Sequence, residues 1–337
     1  MTKKAEKKPV DTAVQTTVDE ASAEAVQPER RAVSRKDMTL AQWTWKEMKR
    51  NKTAYLMIAP FMMIFILFTV FPVVLSLVIS FTSFNMTTLP EFIFMDNYIR
   101  LFLDDDLFVT AAKNTLIFAC ITGPVSYILS FLVAWFINEL DPRVRAVVTL
   151  IFYAPSISGN VYLIWQYLFS GDAYGLVNAT MMEMGLITEP ILWFNDAKYV
   201  MTLCILVSLW TSLGTAFLSF IAGLQTVDRS LFEAAAVDGI KNRWQELWYV
   251  TLPTMKPQLM FGAVMSITGA FNFGPIVTAL AGNPSVDYAA YTIMQHLEEY
   301  SGVRWEVGYA SAISFFLFIV MIVANMAINK MLAKVGE

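Results

Sequence analysis

The sequence predicts an all-α membrane protein with six transmembrane helices, an N-terminal interfacial helix and a helix–turn–helix on the cytoplasmic side. Three observations lead there. Of 337 residues, 56% are hydrophobic and only 15% are charged, against about 25% charged in a typical soluble domain. The charges leave six windows free: 53–90, 114–138, 146–171, 199–227, 258–286 and 307–329. Each is at least 23 residues long, and about 20 apolar residues cross a ~30 Å hydrocarbon core as a helix. None has the alternating ~10-residue pattern of a transmembrane β-strand. A soluble globular enzyme is excluded. So is a disulfide scaffold, because Cys120 and Cys204 both fall inside apolar windows. No basic face competes with 28 acidic residues, so no nucleic acid is expected as a partner.

Residues 1–37 contain no aromatic residue and many Ala, Val, Thr, Glu and Lys. Such a segment buries too little apolar surface to order itself and is expected as a disordered cytoplasmic tail. Between 38 and 54, Met38, Leu40, Trp43, Trp45 and Met48 mix with Lys46, Glu47, Lys49 and Arg50. This reads as an amphipathic helix at the lipid interface, leading through an elbow into the first span. A six-span body is then expected over 55–332, with spans at about 55–83, 115–137, 147–169, 200–224, 258–280 and 307–329. The first window lies too far from the N-terminus, and is too long, to be a cleaved signal peptide. Pro60 and Pro72 within it are tolerable where neighbours satisfy the freed carbonyls.

Lys and Arg near the span ends orient the chain. With the N-terminus inside, the inner segments hold Lys46, Lys49, Arg50, Lys52, Arg143, Arg145, Arg229, Lys241, Arg243, Lys256, Lys330 and Lys334. The outer segments hold only Arg100, Lys113, Lys198 and Arg304. Twelve against four places both termini in the cytoplasm. The outer loops are acidic, densest at Asp104-Asp105-Asp106. That run reads as a solvated loop, with a calcium site as the sharper alternative.

No Asp, Glu, Lys, Arg or His lies in a span core, which argues against a proton-coupled carrier or pump. The lone histidine, His296, is placed in an outer loop, so no metal site is expected. Sodium coupling through carbonyls and hydroxyls stays open. The third span carries Tyr153, Ser156, Asn160 and Tyr167 at helical spacing. The fourth carries Ser208, Thr211, Ser212, Thr215 and Ser219. The fifth carries Gly262, Ser266, Gly269 and Phe273 on one face, with Thr268 and Asn272 adjoining. Small and hydroxylated stripes serve helix packing, or they line a path for a polar, uncharged solute. For Asn160, Asn272 and Trp210 the two readings stand level.

The longest inner loop, 228–257, reads as helix, turn, helix. Ser230 and Glu233 fit an S-x-x-E capping box, so the first helix is expected from Ser230. Gly239 permits the left-handed residue that ends it. Asn242, with Gln245 three residues on, starts the second helix, where Trp244, Leu247 and Trp248 form an apolar face. Pro253 and Pro257 are expected to stop that helix before the fifth span. The exposed apolar residues mark either a partner surface or an interfacial contact.

The segment Glu233-Ala234-Ala235-Ala236-Val237-Asp238-Gly239, followed by Val250-Thr251-Leu252-Pro253, resembles the EAA loop of permeases of binding-protein-dependent ABC importers. Ten residues separate Gly239 from Val250, one more than the family spacing. Ala59-Pro60, Phe71-Pro72, Ser80-Phe81-Thr82, Asn97-Tyr98, Asn114-Thr115, Trp165, Phe169, Gly175-Leu-Val-Asn178, Trp210, Gly223-Leu-Gln225 and Tyr309-Ala310 resemble a maltose-type, carbohydrate-importing permease. The resemblance covers nearly the whole chain after the tail.

It implies one of two permease subunits, working with a second related permease, two ATPase subunits and an extracellular solute-binding protein in a bacterial plasma membrane. The solute implied is a sugar, most simply an oligosaccharide. Glu233, Ala234, Ala235, Asp238, Gly239, Leu252 and Pro253 would couple to the ATPase. Trp210, Thr211, Ser212, Thr215, Thr268, Phe271 and Asn272 match the mid-membrane sugar positions, and Asn160 joins them as a candidate from the residues alone. Thr215 stands where the maltose-type site has an aromatic, so maltose itself is not implied. The chain has no Gly-x-x-x-x-Gly-Lys-Ser/Thr loop; ATP and Mg would be used by the partner ATPase, and no cofactor is expected on this chain. A self-contained secondary transporter of a neutral polar solute is the alternative, although no internal repeat supports it. A scaffold with no solute path is the third reading.

Overall fold

The structure is a computed structural model, described over residues 40–332. The tail read over 1–37, Met38 and Lys334 lie outside the described residues. The chain divides into two units, one ending at Val70 and one starting at Phe71.

In the first unit, α1 (Leu40–Arg50) carries Trp43 and Trp45 among its basic residues, with the Lys49 amine 5.3 Å over the Trp45 ring. The elbow falls at Asn51 (φ −100°, ψ 35°), and α2 (Lys52–Phe65) begins at once. The interfacial helix therefore ends three residues before the expected boundary at 54. Asn is a weak helix former that favours such junctions. α2 is apolar on every side and has no buried residue. A π turn, Ile66–Val70, closes the unit.

The second unit opens with α3 (Phe71–Ile79). It ends short of the expected 83, because the Ser80 hydroxyl donates to the Leu77 carbonyl at 2.7 Å and meets the Tyr98 hydroxyl at 2.7 Å. Side-chain bonds of this kind compete with helix continuation. Then follow α4 (Asp96–Ile99), α5 (Asp106–Asn138), α6 (Pro142–Ile157), α7 (Tyr162–Leu168), α8 (Leu176–Glu183), α9 (Val200–Thr211), α10 (Thr215–Thr226), α11 (Arg229–Val237), α12 (Arg243–Glu246), α13 (Lys256–Phe271), α14 (Gly274–Ala281), α15 (Ile293–Glu298) and α16 (Val307–Leu332). The described residues form no strand beyond one isolated bridge, Thr82 to Phe92.

Four helical stretches are long and apolar enough to cross a membrane: Lys52–Ile79, Asp106–Asn138, Val200–Thr226 and Val307–Leu332. Two further spans are bent pairs, α6 with α7 at 85° and α13 with α14 at 41°, which brings the count to six. The 85° bend removes the single helical face expected for Tyr153, Ser156, Asn160 and Tyr167. Asn160 lies in the break itself.

α5, α10 and α13 pack against one another, and α16 packs on α13 and α3. Phe220 on α10 is fully buried, edge-on to Tyr127 and Phe131 of α5. It lies so close to Gly262 of α13 that a Cβ there would come within 2.2 Å of the ring. Small residues at this contact set how near the backbones approach. A second apolar cluster joins Phe118 of α5 to Val207 of α9 and to Phe273 and Val277 of α14.

One end of α5 is pinned by polar contacts. Asp105 is its N-cap and accepts from the Phe108 N–H at 3.0 Å. Its other oxygen accepts from the Tyr309 hydroxyl at 2.7 Å and lies 3.0 Å from His296 Nε2. His296 and Asp105 are 1% and 9% exposed, so neither sits in the solvated loop expected for them. Asp104 and Asp106 do stay exposed. Nearby, the Tyr291 hydroxyl donates to Glu299 at 2.8 Å, Arg304 pairs with Glu299, and Arg100 pairs with Glu306 while covering the Tyr309 ring at 4.2 Å. The described residues contain no group of three or more His, Cys, Asp or Glu able to hold a metal.

Burial pulls the His296 imidazole below its ordinary 6.5, against the opposing charge of Asp105. Burial would raise the Asp105 carboxyl, but Tyr309, the Phe108 N–H and His296 outweigh it and hold it below 3.8. Both groups resist protonation when folded, so both lose their stabilisation as pH falls.

Two measurements follow from this packing. Gly262→Ala should cost about 1–3 kcal/mol by overpacking against Phe220. Gly269→Ala, with nothing within 4 Å of its Cβ, should leave the thermal midpoint unchanged or higher; equal losses in both would refute the contact. Thermal stability should also fall as pH drops below 6.5, and His296→Asn should flatten that slope. An unchanged slope in the variant would assign the effect to other groups.

Candidate functional site

Two features stand apart from the packing. One is a polar cavity of about 340 Å³ at the breaks of two spans. Between α9 and α10 the helix is interrupted at 212–214, and between α13 and α14 at Asn272 and Phe273. Ser212, Gly214, Asn272 and Phe273 all line the cavity. Irregular backbone at membrane depth is tolerated where it faces protein or a cavity rather than lipid. α5 adds Thr122 and Ser126, and α6 adds Tyr153 and Ser156.

The hydroxyls share one orientation. Thr122, Ser126, Ser156, Thr211 and Ser212 each donate to a carbonyl of their own helix, at 2.7–3.1 Å. The donor is thereby spent and the oxygen lone pairs remain. A solute in the cavity meets mainly acceptors, which suits a molecule rich in hydroxyl donors. Asn272 adds both donors and an acceptor: its exposed amide makes no hydrogen bond among the described residues.

Of the residues read from sequence, Thr211, Ser212, Thr215 and Asn272 line this cavity. Trp210 does not; its ring packs edge-on to Trp165 at 5.4 Å. Thr268 is exposed on another face and bonds the Val264 carbonyl. Phe271 is buried in the apolar cluster with Tyr309, beside a separate apolar cavity between α5, α13 and α16. Asn160 is exposed in the α6–α7 break and outside the lining. Thr122 and Ser126 went unread, although their i, i+4 spacing within an apolar window was visible.

The second feature is the hairpin between α10 and α13. α11 starts at Arg229 because Asp228, not Ser230, is the cap: its carboxylate accepts the Ser230 N–H at 2.9 Å. The Ser230–Glu233 box does not form, since Asp228 reaches the free N–H groups first. These bonds, led by the Ser230 N–H, hold the Asp228 carboxyl below its ordinary range. At the other end Gly239 has φ +95°. The Ile240 N–H bonds the Ala235 carbonyl at 3.0 Å and the Gly239 N–H bonds Ala236 at 3.3 Å, the double closure of a Schellman motif. No atom lies within 4 Å of a Cβ at Gly239, so backbone handedness is the constraint there.

Asn242 caps the second helix by accepting the Gln245 N–H at 2.9 Å. Pro253 does not stop it. α12 runs into a π turn, Leu247–Thr251, then a helical turn, Leu252–Thr254, and ends at Met255. A proline clashes with the carbonyl four residues back, here that of Tyr249, and the wider turn displaces it. Ala235 and Leu247 face inward, whereas Glu233, Ala234, Asp238, Val237, Trp244 and Trp248 are exposed; Leu252 and Pro253 are half-buried.

The loop-tying asparagines are fully used. Asn97 donates to the Ser80 and Thr82 carbonyls, and Asn114 to those of Tyr288 and Tyr291. Asn178 donates to Ser170, Asp172 and Ile191, and accepts from Ile191 and Trp193.

Residues 126–334 match the model of the binding-protein-dependent transport system inner membrane component. The chain is 32% identical over 279 residues to the probable ABC transporter permease protein YesP of Bacillus subtilis, covering 81% of this chain and 88% of that protein. It is 29% identical over 286 residues to the arabinooligosaccharides transport system permease protein AraP of Bacillus subtilis, covering 84% and 90%. Over 218 residues it is 30% identical to the lactose transport system permease protein LacF of Rhizobium radiobacter, covering 64% and 71%. A chain of a bacterial alginate ABC transporter, solved with an alginate pentasaccharide-bound periplasmic protein, shares the fold with a TM-score of 0.71 at 23% identity, covering 87% of this chain and 98% of that one. Six spans, a hairpin between the fourth and fifth, and these matches agree: the chain belongs to the family of binding-protein-dependent transport system inner membrane components, the membrane-embedded permeases of ABC transporters.

Proposed function

We propose that this chain forms half of the translocation pathway of an ATP-driven importer for a neutral oligosaccharide. A second permease supplies the other half, two ATPase subunits bind ATP and Mg, and an extracellular binding protein delivers the solute. Both termini and the hairpin face the cytoplasm. The observation that carries the reading is the pairing of a hydroxyl-lined cavity at two helix breaks with a capped hairpin between those same spans. The names of the AraP and LacF relatives, with their arabinooligosaccharide and lactose systems, support a sugar.

The residues then divide the work. Thr211, Ser212 and Thr215, with Thr122 and Ser126, accept from sugar hydroxyls, and Asn272 supplies donors. Glu233, Ala234 and Asp238 present the exposed face of α11 to the ATPase. Gly239, Leu252 and Pro253 hold the hairpin's shape. ATP-driven closure of the ATPases moves the hairpin and alternates the cavity's access.

The test is uptake by the co-purified complex in proteoliposomes, with arabinooligosaccharides and lactose as probes. Uptake should require ATP and stop with vanadate; vanadate-resistant uptake, or purification without an ATPase, would sink the importer reading. Asn272→Ala should slow uptake about two- to ten-fold, the worth of one lost hydrogen bond, with the complex still assembled. Gly239→Val places a β-branched residue at positive φ, a strain of about 1–3 kcal/mol. ATP hydrolysis should continue in that variant while uptake is lost. Normal uptake would remove the coupling role of the turn.

A further inference from the structure

The hairpin belongs by sequence to the fourth and fifth spans, yet its second helix also reaches the end of α5. The Trp244 ring lies 5.2 Å from the Trp135 ring of α5. Arg243 Nε lies 3.5 Å from Glu139, the residue that follows α5, and Arg243 also bonds Glu246 at 2.9 Å. Leu247, 5% exposed, packs in one cluster with Phe131, Ala134 and Ile137 of α5. Elsewhere the hairpin and the end of α5 stay apart, across a polar cavity of about 620 Å³ that includes Trp135, Glu139, Glu233 and Arg243 in its lining.

Fold stability does not explain the outer two contacts. Trp244 is 63% exposed, and the Arg243 and Glu139 side chains are 65% and 45% exposed. An exposed ion pair adds little to stability. These contacts do fix where the hairpin sits relative to one particular helix. α5 is 33 residues long, about 50 Å at 1.5 Å per residue. Its middle carries Thr122 and Ser126 into the solute cavity, and its far end is pinned through Asp105 to His296 and Tyr309.

We propose that Trp135 and Glu139 are positioning residues for energy coupling: they hitch the hairpin to α5, so that hairpin motion is delivered through one long helix to the solute cavity and the Asp105 cluster. This rests on the reading that the hairpin is the ATPase contact. The hitch residues lie at the end of α5 and not on the hairpin, so their substitution tests transmission apart from ATPase docking.

The test uses the co-purified complex in nanodiscs, with Cys120→Ser to remove the exposed thiol. Spin labels at Leu103→Cys and Tyr174→Cys, positions 76% and 93% exposed, report how the far end of α5 sits against the α7–α8 loop. Trapping with ATP and vanadate should shift that distance in the parent protein. In Trp135→Leu with Glu139→Gln, ATP hydrolysis should persist, while the shifted population falls about three- to thirty-fold relative to the unshifted one. Trp135→Phe and Glu139→Asp, which keep the ring and the charge, should retain the shift. A full shift in the Trp135→Leu, Glu139→Gln variant overturns the hitch, as does loss of the shift in the conservative pair. If the shift is absent in the parent protein or survives Gly239→Val, the coupling role of the hairpin fails instead.

Discussion

The second unit depends first on one carboxylate. Asp105 satisfies the open N–H of Phe108, takes the Tyr309 hydroxyl and faces His296. It thereby ties the first turn of α5 to α15 and to the start of α16. A helix start in a region of low polarity leaves several N–H groups in want of acceptors, and a buried carboxylate without donors would be costly. Each solves the other's problem. With that end fixed, α5 can serve as the common wall against which α10 and α13 pack, and the solute cavity opens where those neighbours break.

The cavity itself follows from a conflict between helix regularity and solute binding. A continuous helix turns every backbone group inward on itself and offers only side chains. The interruptions at 212–214 and at Asn272 and Phe273 release backbone and set short polar side chains around a common space. Serine and threonine in the flanking turns bond back to their own carbonyls, so they cost the bilayer no unpaired donor while still presenting oxygen. This is how a protein can hold a wet, uncharged site inside spans that contain no ionisable residue.

Much of this was legible in the sequence, for local reasons. Charge-free windows located every span, Gly239 marked the hairpin turn, and Asn242 with Gln245 marked the next helix. What was not legible depended on distance along the chain or on competition. Nothing near Asp105 announces His296, 191 residues away, or Tyr309, 204 away. Ser230 looked like a cap because the rule fits it, but Asp228 fits as well and precedes it. Phe271 and Trp210 looked like solute contacts because aromatic rings suit sugars. Helix phase at a break is not readable from spacing, and it turned Phe271 into the core and Trp210 toward Trp165. Thr122 and Ser126 were overlooked since they sit in the most regular helix of the chain.

The π turns at Ile66–Val70 and Leu247–Thr251 each end two residues before a proline, Pro72 and Pro253. Such a turn contains one residue more than an α turn. The stretch from Gly239 to Val250 likewise carries one residue more than its family's usual spacing. A surplus residue taken up in this way is silent downstream: Leu252, Pro253 and the face of α13 that meets Phe220 keep their phase. The hairpin can therefore change length by single residues over evolutionary time, with the widened turn working as a slip joint between the surface that meets a partner and the helix that meets the core.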